Sequence, residues 1–138
     1  MPKNSTKIKY FLGIDYGESK IGLAIADSET RIAFAYGTIK NDKNLLQNIL
    51  AIIKKENIEN VVIGIPKRVG DKKVAYAGEK LGKVLGEKGI SVVSQDEIYS
   101  TKIARENLKE KGLRDINRFD DVEAARIILN SWMERTTL

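Results

Sequence analysis

The chain has 138 residues, 42% hydrophobic and 31% charged, a length that suits one domain (1–138) burying its own core. It contains no cysteine and no histidine, which excludes disulfides, thiolate- or imidazole-bound zinc, iron–sulfur clusters, Cys nucleophiles and reactions with a His base. Lys plus Arg outnumber Asp plus Glu by 24 to 19, a net charge of +5 compatible with a polyanionic partner, and any acid–base or metal chemistry falls to the carboxylates, Lys, Tyr and hydroxyls.

Residues 1–9 are polar, and Asp15 interrupts the apolar run after them, which is too short for a signal peptide or a membrane span. The expectation is a cytoplasmic protein with no membrane partner. Residues 8–16 read as an apolar strand ending in Asp-Tyr-Gly, residues 20–26 as its hairpin partner after a Gly-Glu-Ser turn, and 31–40 as a third strand. Connections this short make the three antiparallel neighbours. The period then changes: Leu45, Ile49, Ile52 and Ile53 recur at helical spacing over 44–56. Residues 61–65 form a continuous β-branched run, as in a parallel strand covered on both faces, and Pro66 ends it. A helix over 73–88, a strand over 90–94, a helix over 100–111 capped by Ser100 and closed by Gly112, and a helix over 118–134 complete the chain. The order β-β-β-α-β-α-β-α-α predicts an α/β fold, a mixed sheet of about five strands flanked by helices. In the second helix, Gly78, Gly82 and Gly86 share one face, which close packing on a neighbour explains better than a docking surface.

Sites in open α/β sheets form outside the carboxyl ends of the parallel strands. Here those ends fall at Tyr16, Ile65 and Ser94, beside Asp15, the basic pair Lys67 and Arg68, and the acidic pair Asp96 and Glu97. The last helix brings Asp120 and Asp121 in its first turn. Clustered carboxylates repel unless a cation lies between them. Mg²⁺ accepts a few carboxylates together with water and phosphate oxygens, and two such ions about 3.5–4 Å apart serve phosphodiester displacement. Each residue also has a plainer reading. Asp15 can close a turn, and Asp96 and Glu97 can favour a helix dipole. Asp120 with Glu123 resembles a capping box, the preferred reading for Asp120, which leaves Asp121 to face the sheet edge. Lys67, Arg68, Lys72, Lys73, Arg114 and Arg118 are either phosphate contacts or solvated turn residues.

Taken together, four blocks resemble the YqgF/RuvX family, nucleases of pre-16S rRNA also described as Holliday junction resolvases. They are Leu12-Gly13-Ile14-Asp15-Tyr16-Gly17 with Lys20-Ile21-Gly22-Leu23-Ala24, then Val62-Ile63-Gly64-Ile65-Pro66, then Asp96-Glu97-Ile98-Tyr99-Ser100-Thr101, and finally Asp121-Val122-Glu123-Ala124-Ala125 with Ile127-Ile128-Leu129. The blocks stand in the family's order and span 8–132. The resemblance implies a ribonuclease-H-like fold and Mg²⁺- or Mn²⁺-dependent cleavage of nucleic acid. It carries the family's catalytic and metal-binding acids onto Asp15, Glu97 and Asp121, and a nucleic-acid contact onto Lys20. The chain departs from the family at Lys20 and Ile98, where Arg is usual, and at Ala35, where Pro is frequent; Lys does not reproduce Arg at a bidentate site.

The leading expectation is therefore a divalent-metal-dependent endonuclease that processes the 5′ end of precursor 16S rRNA. Asp15, Glu97 and Asp121 would hold the metal, and the basic residues would hold the phosphates. Four-way DNA is the next substrate. A monomer or weak homodimer is expected, and a firm dimer would favour the junction, where two symmetric cuts need two sites. A non-catalytic RNA- or ribosome-binding module is the second class, supported by Ile98. A phosphotransferase, opened by the same Asp-x-Gly hairpin, is the third; 138 residues leave no room for its second domain, and no P-loop appears.

Overall fold

The computed structural model describes residues 7–65, 72–96 and 116–136, giving the backbone path alone for 65, 72–75, 95, 96 and 116–121. Apolar alternation produces the three-strand meander β1 (Tyr10–Tyr16), β2 (Lys20–Asp27) and β3 (Phe34–Lys40). The strands pair antiparallel, with Asp15 opposite Gly22 and Lys20 opposite Lys40. The β1–β2 turn requires Gly17, because a Cβ there would run into the carbonyl oxygen of Lys20. The Asn41 side chain braces the same turn from the far strand, donating to the Gly17 carbonyl at 2.8 Å, while the Asn41 backbone N–H donates to Ser19 O at 2.9 Å.

The third strand begins at Phe34 rather than at residue 31. Asp27 turns the chain first, its Oδ1 accepting from the N–H groups of Glu29 at 2.9 Å and Thr30 at 2.7 Å. Arg31 then takes a left-handed φ of 57°. Its guanidinium donates to the carbonyls of Met133 at 2.5 Å and Thr136 at 3.2 Å, and Ala33 N–H donates to Asn130 Oδ1 at 3.0 Å. Tertiary partners thus take the polar groups that a longer strand would have used.

Helix α1 (Leu45–Lys55) buries Leu45 and Ile49 and ends at Asn57, left-handed at φ 56°. Strand β4 (Ile58–Ile65) starts three residues before the apolar run because it pairs with β1 from Tyr10 onward. Helix α2 (Lys72–Glu87) closes in a Schellman motif at Gly89 (φ 86°), with Ile90 N–H bonded to Leu85 O at 3.1 Å and Gly89 N–H to Gly86 O at 3.0 Å. Strand β5 (Ser91–Asp96) and helix α3 (Ile116–Glu134) follow. The predicted helix over 100–111 lies outside the described residues.

The sheet order is β3-β2-β1-β4-β5, with β1, β4 and β5 parallel as their apolar runs predict. One core packs Leu12, Ile14, Ile21, Leu23 and Ile63 against α1 and α2. The other packs Phe11, Ala24, Ala26 and Val62 against Ala125, Ile128, Leu129 and Trp132 of α3. The glycine face of α2 is only partly a packing face. At Gly82 a Cβ would make ordinary contact with Ile63 and Val92, whereas at Gly86 it would meet nothing within 4 Å. Gly86→Ala should therefore raise stability by about 0.5–1 kcal/mol, measured by urea denaturation, by lowering the entropy of the unfolded chain.

Two expectations about α3 need correction. The helix starts at Ile116, two residues before the expected 118, so Asp120 lies in its second turn and does not cap it. Glu123 does not complete a capping box; Arg126 Nε and Nη2 donate to its Oε1 at 2.7 Å and its Oε2 at 2.8 Å. This fork holds the Arg126 guanidinium above its ordinary pKa. Among the described residues no helix is long and apolar enough to cross a membrane.

On the α1 side, the Tyr36 hydroxyl donates to Glu56 Oε2 at 2.8 Å. That hydrogen bond, then burial, then the carboxylate's charge raise the phenol's pKa. A raised folded-state value means that the contribution is complete below the unfolded pKa and is lost as pH climbs through the folded one. Wild type should lose about 0.5–1 kcal/mol more than Tyr36→Phe in denaturation series from neutral to strongly alkaline pH.

Candidate active site

The carboxyl ends of β1, β4 and β5 form one edge of the sheet, where Asp15, Gly64 and Gln95 stand side by side in register. Asp15 is 8% exposed and is the buried charged residue among those described. A carboxylate at that depth is costly unless its setting compensates it. Alternation along β1 puts Asp15 on the α3 side, with Phe11 and Gly13, while Leu12, Ile14 and Tyr16 face α1 and α2.

Helix α3 runs antiparallel to β1. The rings of Phe11 and Trp132 meet edge to face with centroids 5.1 Å apart. Two residues on, α3 comes so close that a Cβ on Gly13 would stand 2.9 Å from both Ala125 O and Leu129 Cβ. From Gly13 to Asp15 the strand advances about 6.7 Å. From Ala125 back to position 121, one turn earlier on the same face, the helix retreats about 6 Å. These matched steps bring the backbone of position 121 to the level of Asp15.

The other predicted site residues divide by layer. Lys20 opens β2 beside the end of β1 and shares the face of Ala24 and Ala26, hence of Asp15. Arg118 is the third residue of α3. Lys72 and Lys73 open α2, which crosses the opposite face. Glu97, Lys67, Arg68 and Arg114 lie outside the described residues, as do the side chains of Asp121, Lys72, Lys73 and Arg118. Among the described residues, no three carboxylates converge on one point. The register adds one residue that spacing had not singled out: Lys40, directly opposite Lys20. Its only signal in the sequence is the charge at the end of the third strand, which acquires a neighbour once the hairpin register is known.

Residues 9–135 match the family model described as RuvX, Holliday junction resolvase. A protein of Malacoplasma penetrans named "Putative pre-16S rRNA nuclease" is 32% identical over 134 residues, covering 88% of this chain and 92% of its own. Among solved structures, Thermus thermophilus RuvC in complex with Holliday junction substrate superposes with a TM-score of 0.64 at 19% identity, covering 91% of this chain and 94% of that one. Fowlpox virus resolvase with Holliday junction DNA gives 0.59 at 14% identity, covering 91% and 97%. At such identities the two structures speak to the fold, a ribonuclease-H-like sheet with flanking helices.

Proposed function

This chain belongs to the RuvX family, and from that premise we propose that it is a divalent-metal-dependent endonuclease acting near the 5′ end of precursor 16S rRNA. The observation that supports the reading is the close seating of α3 on β1 at Gly13, which sets the backbone of position 121, one turn before Ala125, toward the edge where Asp15 lies. The family resemblance favours Glu97 over Asp96 as the third acid; β5 ends at Asp96, and position 97 lies outside the described residues.

With neither His nor Cys in the chain, every strong donor for a cation is an oxygen, which fits Mg²⁺ or Mn²⁺ rather than a softer metal. Asp15, Glu97 and Asp121 would hold the ions. A divalent ion there supplies Lewis acidity that offsets charge developing on the scissile phosphate. The carboxylates orient the attacking water, and the fold buries Asp15 so that its position is set before substrate arrives. Lys67, Arg68, Lys72, Lys73, Arg114 and Arg118 would hold backbone phosphates. The protein works in the cytoplasm as one nuclease domain, monomeric or weakly dimeric.

Four-way DNA is the second reading, favoured by the family's own description. Incubating the protein with structured precursor rRNA and with a four-way junction, each with Mg²⁺ or Mn²⁺, separates the two. Cleavage of the RNA alone supports the first reading and paired symmetric nicks in the junction support the second. No cleavage of either leaves a binding module.

A further inference from the structure

Lys20 and Lys40 are directly opposite on neighbouring antiparallel strands. Opposed residues there have Cβ atoms about 4.5–5.5 Å apart, and like charges in such a pair are destabilising. Neither lysine has an ion-pair partner among the described residues, and both are exposed. The juxtaposition is nonetheless firmly built, since Asn41 ties the end of β3 to the β1–β2 turn through Gly17 O at 2.8 Å and Ser19 O at 2.9 Å. Both lysines lie on the Asp15 face. Asp15 is level with Gly22, two residues along β2 from Lys20, which places the Lys20 backbone about 8 Å and that of Lys40 about 12 Å from Asp15.

We propose that Lys20 and Lys40 form a two-lysine clamp for the phosphates of the nucleic-acid strand leaving the acidic edge toward β3. This rests on the nuclease reading and adds to it a direction for the substrate and a contact residue, Lys40. A like-charge couple with no ion-pair partner among the described residues, on strands whose register is fixed, is unfavourable in the free protein and is relieved by a polyanion.

The test is equilibrium binding of a fluorescein-labelled RNA hairpin and of a labelled four-way DNA junction, in EDTA to prevent cleavage, over a series of KCl concentrations. Each phosphate contact contributes about 0.7–0.9 to the slope of log K against log salt. Lys40→Ala should flatten the slope by that amount and weaken binding about five- to eightfold at about 0.1 M salt. Lys54→Ala, at an exposed position in the last turn of α1 on the opposite face of the sheet, should match wild type. Lys40→Glu should weaken binding further yet raise Tm by about 1–4 °C, because it sets opposite charges across the strands. A Lys40→Ala slope equal to that of wild type overturns the clamp while leaving the nuclease reading in place. A lowered Tm in Lys40→Glu overturns the juxtaposition. Absence of salt-dependent binding by wild type to either probe removes the nuclease reading and the clamp together.

Discussion

A Gly13→Ala chain should melt about 10 °C below wild type, followed by circular dichroism. The added methyl would stand 2.9 Å from a main-chain oxygen, Ala125 O, and 2.9 Å from Leu129 Cβ, the least movable part of that side chain. Neither can swing aside, so α3 must lift from β1, at a cost of about 2–4 kcal/mol. The same displacement separates position 121 from Asp15, so cleavage at a temperature where the variant is still folded should fall more than tenfold. Gly86→Ala is the matched control, the same substitution in open space. A Gly13→Ala chain with wild-type melting would mean that α3 is not seated as closely as the structure has it.

Asp15→Asn should reduce cleavage of the preferred substrate by about 10³-fold or more. The change keeps the size of the side chain and removes its charge, and losing a carboxylate ligand forfeits several kcal/mol of stabilisation at the phosphate. At 1.36 kcal/mol per factor of ten, three orders of magnitude correspond to about 4 kcal/mol. Binding in EDTA should stay within about threefold of wild type, because phosphate contacts dominate affinity and lie elsewhere. Single-turnover rates with Mn²⁺ give the comparison. Equal rates in the two proteins would remove Asp15 from the chemistry and return the chain to the binding-module class.

The strands and helices were legible because their apolar periods are clean. The unbroken run at Val61, Val62 and Ile63 marks a strand covered on both faces, and the structure buries all three residues completely. The failures were tertiary. Nothing local says that Arg31 will leave the strand to hold the end of α3, 102 residues away, through the Met133 carbonyl. Asp120 followed by Glu123 has the spacing of a cap, but the helix reaches back to Ile116, and Arg126 provides Glu123 with a two-pronged partner. Asp15 stood out by its place at a strand end, yet its burial depends on the sheet around it. Lys40 was invisible for a related reason: strand pairing, not spacing, makes it a neighbour of Lys20. Glu97 rests on the family resemblance alone, since it lies outside the described residues.

The edge-to-face contact between Phe11 and Trp132 has a mechanical consequence. Helix α3 is a stiff rod with its fulcrum at Gly13, and Trp132 sits about 16 Å from position 121 along it. Thinning the aromatic wedge at the far end lets the rod tip about that pivot and moves its other end. Trp132, at one end of the rod, thus bears on where the backbone of position 121 stands relative to Asp15.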